Sequence, residues 1–132
     1  MHHLVYTSST TVLLTEAGLH RSLRQWQAAN AYAGITGVLL YSEGDILQVL
    51  EGEVERVQAL FTTIAGDVRH RNVTKLADGP VDERAFADWS MRFRSVPSAA
   101  FKRFLKPSPS ASASATRLLM LLQEFMGQGD MA

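Results

Sequence analysis

No cysteine occurs among the 132 residues. Disulfide scaffolds, thiolate metal sites and cysteine nucleophiles are therefore excluded. Charge of neither sign is in excess: 13 Lys and Arg balance 13 Asp and Glu. A broad surface for nucleic acid or anionic lipid is not expected. Long apolar runs are missing too. None approaches the roughly 20 residues that span a bilayer, and the opening "MHHLVYTSS" has no apolar signal core. The expected setting is the cytoplasm, with neither nucleic acid nor membrane as a partner. Standard catalytic patterns are equally scarce. No G-x-S-x-G, H-E-x-x-H or phosphate-binding glycine loop is present, and His20 and His70 have no companion ligands in view. The expectation is a protein that is not an enzyme and holds no metal.

What is present fits one globular domain with one core, at 46% apolar and 20% charged. A short strand is predicted over 3–8, where Leu4, Tyr6 and Ser8 share a face. A helix follows over 15–32, with Thr15 as candidate N-cap and Gly34 as its stop. Leu19, Leu23, Trp26 and Asn30 fall on one helical stripe, so Asn30 prolongs the apolar face. Strands over 36–41 and 45–51 form a hairpin around "SEGD". Both are apolar on both faces, as covered central strands are. A second helix over 53–68 is expected to bury Val54, Val57, Phe61, Ile64 and Val68. "NVTKLADGP" reads as a fourth strand. "FADWSMRF" reads as a fifth, with Trp89, Met91 and Phe93 on one face.

The order βαββαββ predicts a ferredoxin-like α/β sandwich: a mixed five-stranded sheet with two helices on one face. Its split arrangement puts the first and third strands side by side, and Tyr6 within reach of Gln48. Beyond residue 96 the pattern changes to a helical extension over 97–132. It contains a Pro/Ser/Ala linker at 107–115 and a strongly apolar closing helix over 116–126.

Several polar residues stand at inward positions. Gln48 interrupts the apolar run "ILQVL". A buried amide without partners costs roughly 1–3 kcal/mol, so it has partners, either a backbone group near the strand end or a bound polar ring. Tyr6 either fills the core with its hydroxyl at the rim, or meets Gln48 in a low-dielectric network. Asn30 either bonds the chain leaving its helix or holds a ligand between the two helices. In "GDVRHRN", Asp67, Arg69 and His70 stand where the second helix ends. Arg69 and His70 either offset the helix dipole, or the planar guanidinium meets a carbonyl or carboxylate ligand.

"LVYTSS", "NAYAGITGVLLYSEGDILQVLEGE", "DVRHRNV" and "FADWSMRF", in this order and at these separations, resemble a BLUF domain, a blue-light sensor that uses FAD. The resemblance implies a flavin-binding domain over 1–96. It implies a flavin ring between the two helices, contacted by Asn30, Arg69, His70, Asp67, Ser8 and Gln48. FAD is the expected cofactor, with FMN or riboflavin as alternatives. Tyr6 and Gln48 are implied as the photochemical pair. Light draws an electron and a proton from Tyr6, and Gln48 rotates or tautomerises to give a red-shifted state. Trp89 and Met91 match the family's W-x-M strand, which couples the pocket to the surface. Ala29 stands where many relatives carry Asn or His, and Trp26 is a second candidate electron donor beside the pocket. With no attached enzyme in view, the chain resembles the short BLUF proteins. That implies a separate downstream signalling protein and self-association into a homo-oligomer. The residues alone leave two alternatives: a ligand-binding or protein-interaction domain of this fold without photochemistry and, ranked below it because no nucleophile or paired carboxylates are in view, a small hydrolase using Arg69 or His70 with Asn30.

Overall fold

Strands that are apolar on both faces need cover on both faces. A computed structural model, which describes residues 1–10, 16–67, 70–105 and 111–127, meets that need with helices on either side of one sheet. The elements are β1 (His2–Thr10), α1 (Glu16–Ala33), β2 (Thr36–Ser42), β3 (Asp45–Gly52), α2 (Val54–Ala65), β4 (His70–Pro80), β5 (Arg92–Ser95), α3 (Ser98–Phe104) and α4 (Ala111–Gly127). The sheet order is β4-β1-β3-β2-β5. β1 runs antiparallel to both β3 and β4, β2 and β3 form the expected hairpin, and β5 lies parallel to β2. The ferredoxin-like mixed sheet is as expected, with the first and third strands adjacent.

The hairpin turns on Glu43 and Gly44, whose φ angles of 49° and 93° match the right-handed twist of the strands it joins. Gly34, at φ 71°, ends α1 with its N–H on Ala31 O at 3.2 Å, as a glycine stop does. Thr15, the candidate cap, lies outside the described residues.

Alternation along the strands sorts the core into two clusters. Leu4, Tyr6, Leu39, Ile46 and Leu50 face Leu23, Val57 and Met91 on the side of α1 and α2. Val5, Val38, Leu40, Leu47 and Val49 face Phe101, Phe104, Leu118 and Leu122 on the side of α3 and α4. The apolar closing helix is therefore part of this domain's core. Leu122 is fully buried, a burial that contributes roughly 1.5–3 kcal/mol.

Four expectations are corrected. The second helix stops at Ala65 with Gly66 as its cap, short of residue 68. Val54 is 44% exposed; it is the first residue of the helix, and the buried stripe begins one turn later at Val57. The linker expected at 107–115 is shorter. Residues 111–115 open α4, where "ASASA" has no proline and alanine favours helix. Residues 106–110 lie outside the described residues. Lastly, β5 is Arg92–Ser95 rather than 86–93. Residues 86–91 have no continuous ladder to impose alternation, so Trp89 and Met91 do not share a face. Trp89 packs with the α3/α4 cluster and Met91 with the α1/α2 cluster.

His3 pairs with Glu51 across β1 and β3 and is almost wholly buried. Burial holds its imidazole pKa below the ordinary 6.5; His2 pushes the same way, while Glu51 and Asp78 oppose it. The folded state thus resists a proton that the unfolded chain accepts. Stability present above the unfolded value is lost as pH falls through it. The melting temperature should decline as pH is lowered from about 7 to about 5, and His3→Gln should shrink that decline. An equal decline in the variant would assign the effect elsewhere.

Candidate functional site

β1 and β3 align so that Tyr6 stands opposite Gln48. Both side chains point toward α1 and α2, Tyr6 fully buried and Gln48 nearly so. The Tyr6 hydroxyl donates to Gln48 Oε1. The same amide donates through Nε2 to Met91 Sδ at 3.3 Å. Gln48 thus gives its oxygen a strong donor and its N–H only a thioether, a weak acceptor. Burial pushes the Tyr6 phenol well above the usual tyrosine range. It therefore keeps its proton at ordinary pH and acts as the donor. Phe61 of α2 meets the Tyr6 ring edge-on, with centroids 5.4 Å apart, which fixes the ring from above.

A cavity of about 190 Å³ lies over this pair, between the two helices. α1 supplies Trp26, Ala29 and Asn30 to its wall; α2 supplies Leu60, Thr63 and Ile64; Asp67 and His70 close the end where α2 stops. Asn30 is 5% exposed and donates through Nδ2 to Ser90 O at 3.1 Å. His70 donates its backbone N–H to Asp67 O at 3.0 Å. Its Nδ1 shares a hydrogen bond with Ser8 Oγ at 3.1 Å. The floor and walls are mostly apolar, with two amides at their edges. Each amide carries both donor and acceptor, which suits the edge of a flat heteroaromatic ring. The volume is below the roughly 300–1,000 Å³ of pockets that enclose a whole drug-sized ligand. It fits a ring system better than the full length of a dinucleotide.

The structure thus brings Tyr6, Asn30, Gln48, Asp67 and His70 to one cavity, with Ser8 joined through His70 and Met91 through Gln48. Arg69 lies outside the described residues. Trp89 stands apart. Its ring stacks on Phe86 with centroids 5.7 Å apart, and the Arg92 guanidinium lies 4.9 Å from it. A larger, more open groove of about 610 Å³ runs between α1 and residues 88–93. It contains neither Tyr6 nor Gln48, so the smaller cavity is the candidate site.

Sequence reasoning missed the residues that hold Met91 in place. Gln27 Nε2 donates to Met91 O at 2.8 Å, and Gly37 donates its N–H to Trp89 O at 2.9 Å. Any Cβ at Gly37 would fall 1.8 Å from Val49 O, so only glycine brings β2 this close. Glu51, 1% exposed, is a second buried polar side chain on β3. A charge at a covered position of an apolar strand was the signal that could have found it.

Tyr6→Phe would leave Gln48 Oε1 buried without its donor. In flavin-free protein the change should cost about 1–3 kcal/mol, read by urea unfolding at equal m-value. An unchanged midpoint would mean that the pair adds nothing to stability.

The family model described as "Sensors of blue-light using FAD" matches residues 1–92. The photoactivated adenylate cyclase subunit beta of Euglena longa is 35% identical over 89 residues, which cover 67% of this chain and 10% of that protein. Subunit alpha of the Euglena gracilis enzyme is 40% identical over 63 residues, 48% of this chain and 6% of that protein. The chain therefore spans a tenth or less of the length of these curated relatives. Among solved structures, the dark state of the BLUF protein BlrB aligns with a TM-score of 0.74 at 28% identity, covering 89% of this chain and 93% of that one. The photo-activated state of BlsA aligns at 0.71 with 30% identity, covering 92% and 94%. With a family model matched over most of its length and a cavity built around a paired tyrosine and glutamine, the chain belongs to the BLUF family, the sensors of blue light using FAD.

Proposed function

We propose that this chain is a blue-light photoreceptor in which Tyr6 is the electron and proton donor and Gln48 the switching amide. In this reading Asn30, Asp67, His70, Ser8 and Arg69 are the flavin-binding groups, and Met91 with Trp89 carries the signal outward. The observation that carries it is the buried relay from Tyr6 through Gln48 to Met91 beneath the cavity. When bound, the flavin supplies blue-light absorption and an electron-accepting ring.

The protein's part is to hold and move hydrogen bonds. Burial keeps the Tyr6 proton on its oxygen, where Gln48 Oε1 receives it as a hydrogen bond. Gln48 has two orientations. In one, its N–H meets the Met91 sulfur. Turned over, it presents oxygen to a thioether that has no proton to give. The Met91 contact therefore belongs to one orientation only. Its loss frees a side chain whose backbone is still held by Gln27 and whose neighbour Ser90 is held by Asn30. Residues 89–91 and β5 behind them form the two-state element that the amide biases.

We extend the reading to a cytoplasmic sensor with no catalytic step of its own, which self-associates and passes its state to a separate protein. In support, the Euglena longa relative is named as a photoactivated cyclase, and the matched segment is a tenth of it. The segment that resembles this chain is thus a small part of that protein. Among the described residues no helix is long and apolar enough to cross a membrane.

The test is blue-light difference absorption of the FAD-loaded chain and three variants. Tyr6→Phe and Gln48→Leu should keep the flavin and lose the red-shifted state. Asn30→Ala should retain flavin roughly fivefold less tightly, the scale of one neutral hydrogen bond. A red-shifted state of normal size in Tyr6→Phe would remove that tyrosine from its role.

A further inference from the structure

β3 carries buried polar side chains at 48 and 51. Strand alternation sends them to opposite faces of the sheet. Gln48 meets Met91 on one face, and Glu51 meets the start of the same segment on the other. Glu51 Oε2 accepts the Ala85 N–H at 2.6 Å. Its Oε1 accepts the Phe86 N–H at 3.0 Å and the Thr36 hydroxyl at 3.0 Å. Arg84 does not bond the carboxylate. Its guanidinium donates to Thr36 Oγ1, to the backbone oxygen of Glu51 and to Gly34 O, at 2.8, 3.3 and 2.7 Å.

A buried carboxylate is costly, and apolar replacements of buried charges are often neutral or stabilising. Packing alone therefore does not call for glutamate here. What an apolar side chain cannot do is hold two successive backbone N–H groups. Residues 85–91 need such a hold. The segment is slung between Glu51 at one end and Gln27, Asn30 and Gln48 at the other. Within it, Phe86 stacks on Trp89. The carbonyl of Ala85 accepts from Gln123 Nε2 of α4 at 2.9 Å. The residue whose N–H is fixed by Glu51 thus offers its oxygen to the C-terminal helix.

We propose that Glu51 is a positioning residue for the switch. By tying Ala85 and Phe86 to β3 it sets where the Met91 sulfur stands against Gln48, and it directs movement of this segment to Gln123 on α4. The inference rests on the photoreceptor reading above. Glu51→Gln keeps the size of the side chain and one accepting oxygen. Its new NH₂ group faces a backbone donor, so one of the two N–H bonds is lost.

The experiment uses the FAD-loaded full chain. It records dark absorption, dark recovery after blue light, and the side-chain amide NMR signal of Gln123 in both states. Glu51→Gln should keep the dark spectrum, recover roughly tenfold faster, the scale of one lost charge-assisted hydrogen bond, and lose the light response at Gln123. Recovery at the wild-type rate with Gln123 still responding would overturn the proposal, whatever happens to thermal stability. A wild-type protein with no red shift at all would instead remove the photoreceptor reading, and this inference with it. If Glu51→Gln does not hold flavin, Thr36→Val decides. It removes one of the three donors to the same carboxylate and should speed recovery a few-fold, and an unchanged rate would overturn the assignment.

Discussion

A primary amide sealed in an apolar sandwich must find one acceptor and at least one donor there, because leaving either end unpaired costs free energy that a small domain can hardly spare. Gln48 meets that demand with Tyr6 on one side and Met91 on the other. The first partner follows from sheet register: β1 pairs with β3 so that residues 6 and 48 face each other. A slip of β1 by one residue would turn Tyr6 to the face opposite Gln48 and dissolve the relay. The second partner follows from no ladder. Met91 reaches Gln48 because four distant side chains hold residues 85–91 in place.

That contrast divides the molecule into a rigid part and a part that the proposed switch would move. The sheet centre is closed by helices on both sides, with Leu4, Leu47 and Leu122 fully buried. Tyr6 cannot deprotonate cheaply or move far in such surroundings. The segment after β4 is different. It is attached by individual hydrogen bonds from Gln27, Asn30, Gly37, Gln48 and Glu51. In the proposed switch, changing one of these, the Gln48 bond, leaves the others to define a second position. α4 lies on the far face, and Gln123 touches the segment at Ala85. The cavity and the C-terminal helix are therefore linked through one strand, β3, which presents an amide to one face and a carboxylate to the other.

Much of this was readable in the sequence, and the limits have physical reasons. The hairpin at Glu43 and Gly44, the doubly apolar β2 and β3, and the inward stripe ending at Asn30 are local patterns with a fixed period. The neighbourhood of Tyr6 and Gln48 followed from strand order. Residues 86–91 misled because their alternation looks like a strand, while their conformation is set by side chains up to 64 residues away, as for Gln27 on Met91. Residues 111–115 misled because serine and alanine suit both a linker and a helix, and the apolar run behind them decides. Glu51 was overlooked beside Gln48, although both break the same apolar strand.

The most direct test of the central claim is isotope-edited NMR of the Gln48 side-chain amide in the flavin-loaded protein, in the dark and under continuous blue light. The account predicts a dark signal whose N–H couples to the Met91 methyl group through space, and loss of that contact on illumination with recovery in the dark. A Gln48 amide that keeps its contact with Met91 in both states, while the flavin spectrum still shifts, would contradict it.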